Sequence, residues 1–169
     1  MRTLILMRHA KSSWDNAALS DHERPLNSRG RREAPIAGQR LVSAGAFPDI
    51  VISSDSTRTR ETWDEICPLF PDLEPVFDHG LYLGGMEDIR RAIYSQPDSV
   101  GTILCLGHNP GFSLTAGWLS GEHLLLKTSN AAILTIDAVS WQGSFERAAW
   151  TLASHITPKD VDGPGGRVT

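Results

Sequence analysis

The chain has 169 residues, enough for one domain with a full core and too few for two. Its 40% hydrophobic and 21% charged content fits a folded globular domain and excludes a disordered or fibrous chain. A formal net charge of −4 argues against nucleic-acid binding through a broad basic surface, and no apolar run approaches the roughly 18 residues of a membrane span.

The basic residues are not evenly spread. Arg2, Arg8, Lys11, Arg24, Arg29, Arg31, Arg32 and Arg40 are half of all 16 and lie in the first quarter of the chain, so a local anion site inside an acidic protein is expected. Cys67 and Cys105 show no metal or disulfide spacing, and Cys105 sits in the apolar run Ile103-Leu104-Cys105-Leu106 as a core thiol. The apolar segment at the N-terminus is shorter than a signal peptide requires, which gives a cytoplasmic expectation.

In chain order, the run over 2–8 reads as a buried strand that stops abruptly at Arg8-His9. Ala10 to Asn27 has no period and reads as a functional loop. A helix follows from an Asn27 or Ser28 cap to about Ala44, with Gly45 as its stop and Pro35 expected to bend or delay its first turn. Ile50-Val51-Ile52 is a short strand, and Ser53-Ser54-Asp55 offers caps to a helix over 56–67. Val76-Phe77 is a weak strand, 86–95 a helix, and 102–106 a central strand. Asn109-Pro110 reads as a cap followed by Pro at the first helical position, opening a helix to about Leu119. The segments 131–138 and 145–153 read as an antiparallel hairpin around Ser140–Ser144. One domain over 1–156 and a loose tail over 157–169 complete the chain. Alternating strands and helices closing on a hairpin give a three-layer α/β/α sandwich with a mostly parallel sheet.

Three of these strands end on polar, phosphate-friendly residues: Arg8-His9, then Ser53-Ser54 with Arg58 and Arg60, then Gly107-His108-Asn109. In a parallel sheet all three emerge at one edge, where open α/β sheets bind ligands. Arginine's fork grips two phosphoryl oxygens at once, and a histidine can serve as a nucleophile that splits the displacement into two steps. His9 and His108 show no carboxylate ligand spacing, and paired arginines repel a cation, so neither a metal nor another cofactor is expected at this site.

The motifs Arg8-His9-Ala10-Lys11-Ser12, Arg24-Pro25-Leu26-Asn27-x-x-Gly30, Ser53-Ser54-x-x-x-Arg58-x-x-x-Thr62 and Leu106-Gly107-His108-Asn109-Pro110 occur in order. Together they resemble the histidine phosphatase superfamily, with its phosphoglycerate mutase-like fold. The opening Arg-His-Ala-Lys-Ser-Ser-Trp, the small size and Leu81-Tyr82 resemble its SixA-type phosphohistidine phosphatases. The resemblance implies that His9 is the phosphorylated nucleophile and that Arg8, Arg58 and His108 bind the phosphoryl oxygens. Asp78 is the nearest match to the family's proton donor, with Glu87 more distant. Lys11, Ser12 and Arg24 are further substrate-binding candidates, although loop cations are commonly just solvated and Ser12 has its own backbone as an alternative partner. Asp21 reads as orienting Arg24, Arg60 as pointing elsewhere, and Arg29, Arg31 and Arg32 as an exposed helix face. His22, His79, His123 and His155 carry no motif and read as structural.

The resulting expectation is a monomeric phosphatase, independent of metal, acting on a phosphohistidine-containing protein. Its rivals are a small-molecule phosphomonoesterase with the same His9 chemistry and a non-catalytic phosphorelay or phospho-binding module.

Overall fold

In a computed structural model that describes residues 1–159, the first strand, β1 (Arg2–Arg8), lies in the interior of a six-stranded sheet. The elements that follow are α1 (Ser28–Ser43), β2 (Ile50–Ser53), α2 (Thr57–Ile66), β3 (Pro75–Phe77) and α3 (Met86–Tyr94). The chain then forms β4 (Thr102–Gly107), α4 (Gly111–Ser120), β5 (Ala131–Ile136) and β6 (Thr151–Ile156). The strand order is β3-β2-β4-β1-β5-β6. The first four strands of that order run parallel, and β5 pairs antiparallel with both β1 and β6.

Side chains alternate across a strand, so β1 feeds two cores. Leu4 and Leu6 join Ile103 and Cys105 under Ile89, Ile93, Phe112 and Leu119 of α3 and α4. Ile5 and Met7 join Leu104 and Leu106 under Leu41, Trp63 and Ile66 of α1 and α2. Every strand residue in this set is buried, which is why β1 and β4 read as unbroken apolar runs. The three-layer α/β/α sandwich is therefore the observed fold.

Local differences from the sequence reading have identifiable causes. Helix α1 starts at Ser28, where Asn27 Oδ1 accepts from Gly30 N at 2.9 Å, and it runs on through Pro35 without a delayed start. Gly45 does close it, at φ +71°, in the left-handed region that suits a residue without Cβ. Ser56 sits at the cap position of α2 without a side-chain cap bond, and the side chains of Ser53, Ser54 and Asp55 are engaged elsewhere. Helix α4 begins at Gly111, and the Asn109–Pro110 peptide before it is cis. Asn109 Oδ1 still accepts from Ser113 N at 3.2 Å and Ser113 Oγ at 2.7 Å.

The largest correction is at the C-terminal hairpin. The second strand is 151–156, not 145–153, and the segment before it folds inward instead of pairing. Trp141, Phe145 and Trp150 are buried there, with Trp141 and Trp150 stacked at 6.3 Å between ring centroids. Their indole N–H groups find the carbonyls of Val100 and Ser144, each at 2.8 Å. Aromatic residues of a segment that reads as strand are here anchors of a loop packed into the core with α3 and α4. The expected tail falls mostly outside the described residues. Within them, Arg40 on α1 donates to the carbonyls of Thr157 at 2.6 Å and Lys159 at 2.9 Å.

Candidate active site

Parallel pairing places Arg8 opposite Gly107 and Ser53 opposite Leu106, so β1, β2 and β4 end together. The chain segments leaving those ends, with the loop after β1, enclose a cavity of about 210 Å³. Its walls are Arg8, His9, Lys11, Ser12, Trp14, Arg24, Arg58, Leu83, His108, Asn109 and Thr128. Seven of the eight residues singled out from the sequence thus meet in one place. The eighth, Asp78, does not line it. Its carboxylate accepts from Gly80 N at 2.7 Å and lies 3.7 Å from the Arg91 guanidinium.

His9 is buried at the floor. Its Nδ1 lies 2.7 Å from the Ala10 carbonyl, which can only accept, so Nδ1 carries the proton and Nε2 presents a lone pair. Arg58 Nε donates to that Nε2 at 3.3 Å. Burial disfavours the imidazolium most; the Ala10 carbonyl favours it, and the charges of Arg58, Arg8 and Arg24 oppose it again. The result is a pKa lowered to about 3 and a neutral ring at physiological pH.

His108 lies with its ring 5.1 Å from that of His9. Arg58 Nη2 donates to its Nδ1 at 3.3 Å, which leaves Nε2 as the protonated nitrogen, and Nε2 donates to Ser54 Oγ at 2.8 Å. Burial first, then the neighbouring His9 and Arg58, push its pKa to about 2. Both imidazoles are thus neutral, and Arg58 supplies a donor to each. Arg8 adds a second guanidinium. It donates to the Leu126 carbonyl at 3.2 Å, while its Nε is buried without a hydrogen-bond partner. No carboxylate pairs with Arg8 within 4 Å among the described residues, an arrangement that suits an incoming anion.

The supports are drawn from several elements. Thr62 Oγ1 on α2 accepts from Ala10 N at 3.0 Å and donates to the Arg58 carbonyl at 2.6 Å, tying the segment after His9 to the helix that carries Arg58. This accounts physically for the Arg58-x-x-x-Thr62 spacing, since residues four apart share a helix face. Arg24 is occupied within its own loop. It donates to the Ser13 carbonyl at 3.0 Å, to Asp21 at 2.9 Å and to Ser12 Oγ, and its guanidinium lies 3.2 Å from the Trp14 ring centre.

Asp21 does more than orient Arg24. It also accepts from Arg58 Nη2 at 3.0 Å and from the Tyr82 hydroxyl at 2.6 Å. Desolvation raises its pKa, but the bonds from Tyr82, Arg24 and Arg58 outweigh it and hold the carboxyl well below the usual range. Ser54 and Tyr82, whose ring packs edge-on at 5.4 Å from that of His108, are the residues whose part was not anticipated. Ser54 stands four residues before Arg58, and that spacing was its available signal.

Fold and pocket together define an α/β protein with two neutral histidines and three arginines gathered in one pocket at the strand ends. The chain belongs to the histidine phosphatase superfamily (branch 1), whose profile matches residues 4–89. An uncharacterized chloroplastic protein of Arabidopsis thaliana is 39% identical, covering 93% of this chain and 78% of that one. A candidate phosphohistidine phosphatase SixA from Nakamurella multipartitia has the same fold, with a TM-score of 0.82 and 27% identity over 93% of this chain and 96% of its own. A 2,3-bisphosphoglycerate-dependent phosphoglycerate mutase of Brucella ovis is 37% identical over 47% of this chain and 41% of its length. Within the superfamily the fold is of the SixA type. No helix among the described residues is long and apolar enough to cross a membrane.

Proposed function

We propose that the chain hydrolyses protein phosphohistidine through a covalent phosphohistidine on His9. His9 Nε2 attacks the phosphorus as the bond from phosphorus to the substrate's imidazole nitrogen breaks. The departing imidazole leaves as its protonated, neutral form. Arg8 and Arg58 neutralise the equatorial oxygens, and the neutral His108 turns its Nε2–H from Ser54 Oγ to a third. Water then attacks the phosphorus, releasing phosphate and returning His9. No step calls on a metal.

The observation that carries the substrate class is that, among the described residues, no Asp or Glu lines the pocket walls. Asp78 is turned to Gly80 and Arg91, and Asp21 is held ionised by three donors, so neither offers a proton to a poor leaving group. An alkoxide needs that proton from a strong acid, whereas an imidazole protonated by solvent leaves without one. The cavity, about 210 Å³, is smaller than the pockets that bury a whole small substrate, so most of the substrate lies outside. Trp14 and Leu83 stand exposed at its mouth, as a protein surface would use them. A cytoplasmic setting and a monomeric state complete the same proposal.

The test is hydrolysis of a phosphorylated histidine-containing domain, compared with an aryl phosphate and a phosphoglycerate, each with and without chelator. Turnover of the phosphoprotein that survives chelation and disappears in His9→Ala is expected. Fast turnover of the small ester with none of the protein would replace the substrate class by that of the phosphomutase relative. A stable phospho-His9 without turnover would make the chain a phosphate carrier.

A further inference from the structure

Three side chains outside the phosphate pocket converge on a different chemistry. His22 comes from the loop after β1, Asp55 from the turn between β2 and α2, and His79 from the turn after β3. His22 Nε2 lies 2.8 Å from Asp55 Oδ1, and His79 Nδ1 lies 2.9 Å from Asp55 Oδ2 and 3.1 Å from Oδ1. One ligand atom from each residue falls within 4.8 Å of the others. We propose that His22, Asp55 and His79 bind a zinc-class divalent ion at the rim of the phosphate pocket.

The donor set favours that class. Two imidazole nitrogens and one carboxylate are three ligands of the kind used in open zinc sites, and imidazole selects against Mg²⁺ and Ca²⁺, which take oxygen. Ligand atoms about 2.05 Å from a tetrahedral ion stand roughly 3.3 Å apart. The two histidine–carboxylate separations, 2.8–3.1 Å, need to open by a few tenths of an ångström, and the two imidazole nitrogens, within 4.8 Å of each other, need to settle at about the same 3.3 Å. The His79 side chain is 74% exposed and can swing to allow this, leaving the fourth position open to water.

The ligands' backbones are already tied. The His22 carbonyl accepts from Thr57 N at 3.0 Å, the Asp55 carbonyl from Arg60 Nε at 2.8 Å, and the His79 carbonyl from Tyr82 N at 2.9 Å. That leaves little chain entropy to be lost on binding.

The site shares no residue with the phosphate pocket, yet Tyr82 joins them. Its ring is edge-on to His22 at 4.7 Å, lies 5.8 Å from His79, and packs on His108 at 5.4 Å. An ion here pins three segments that otherwise meet through hydrogen bonds and ring contacts, and with them the residue whose hydroxyl holds Asp21 against Arg58. The binding claim does not depend on the proposed phosphatase substrate.

The experiment uses the full chain, stripped of metal and kept in phosphate-free buffer. Zinc chloride is titrated against a chromophoric chelator, and Co²⁺ is added separately to read coordination from its visible bands. The expected result is one equivalent bound with tetrahedral Co²⁺ bands. The melting temperature should rise by roughly 5–10 °C when zinc stands about 100-fold above its dissociation constant. His22→Ala and His79→Ala should each weaken binding at least about tenfold. His9→Ala should leave it unchanged, which separates this site from the two pocket histidines. His79→Ala keeps its melting temperature without metal, because that side chain is mostly solvent-exposed. Zinc affinity equal in parent and His79→Ala, loss of binding in His9→Ala instead, or no saturation by about 100 µM zinc would each overturn the proposal.

Discussion

Asp21 is the counterion of the pocket, and replacing it by Asn separates two things its charge does. It accepts from Arg58, whose side chain is 4% exposed, while Asp21 itself is 42% exposed. In Asp21→Asn the shape remains and the charge goes. A hydrogen bond between charged groups contributes about 1.5–3 kcal/mol when buried, and the exposure of Asp21 reduces this to about 1–2 kcal/mol. For a chain of this size that is a fall in melting temperature of roughly 2–8 °C.

The same substitution removes a negative charge from beside the oxyanion. A unit charge about 6 Å away in an effective dielectric of about 40 repels by about 1.4 kcal/mol. A singly charged oxyanion should therefore bind about tenfold more tightly to Asp21→Asn, and doubly charged tungstate up to about a hundredfold. Thermal unfolding gives the first quantity, and calorimetric titration with the oxyanion gives the second. The bonds to Asp21 also fix a pH dependence. The folded carboxyl titrates below its ordinary value of 3.8, so its stabilisation is present above that pH and is lost as pH falls through the lower folded value. A variant as stable as the parent that binds oxyanion more weakly would refute the counterion role.

Three further outcomes are expected. His9 and His108 have folded pKa values lowered to about 3 and about 2 from 6.5, so the unfolded chain binds more protons below pH 6.5 and stability falls with pH from there toward 3. Urea unfolding in phosphate-free buffer should show a loss of about 2 kcal/mol per histidine between pH 7 and pH 5, and a flat profile would contradict the buried neutral rings. Gly30→Ala places a Cβ 2.2 Å from the Lys11 carbonyl oxygen, a backbone atom that cannot step aside. It should cost about 3 kcal/mol or more, roughly 10 °C in melting temperature; a change under about 2 °C would show the loop free to shift. Trp14→Ala removes a side chain that is 72% exposed and covers Arg24. It should raise KM for a phosphoprotein about threefold, with a melting temperature nearly unchanged because an exposed cation–π contact contributes only about 0.5–1 kcal/mol. An unchanged KM would remove Trp14 from the docking surface.

What the sequence made legible follows one physical rule. Arg8, His9, His108 and the turn leading to Arg58 sit at the carboxyl ends of β1, β4 and β2, and parallel pairing alone brings such ends to one edge. Their convergence needed only strand type and order, both carried by short apolar runs. The carboxylates did not obey that rule. Asp78 also follows a strand end, but its direction is set by Gly80 N and by Arg91 on α3, partners that no local pattern announces. Asp21 lies in a loop without periodicity, and its reach to Arg58 and Tyr82 spans 37 and 61 residues.

The same distinction explains Ser54 and Asp55, which read locally as helix caps and are instead spent on His108, His22 and His79. It also explains Phe145 and Trp150, which lie in a segment that reads as strand and are instead buried against the core under α3 and α4. A side chain held by the sheet inherits its place from topology. One held by a loop takes its place from charge partners distant in sequence, and at this pocket those partners, Asp21 above all, decide how much positive charge the phosphate meets.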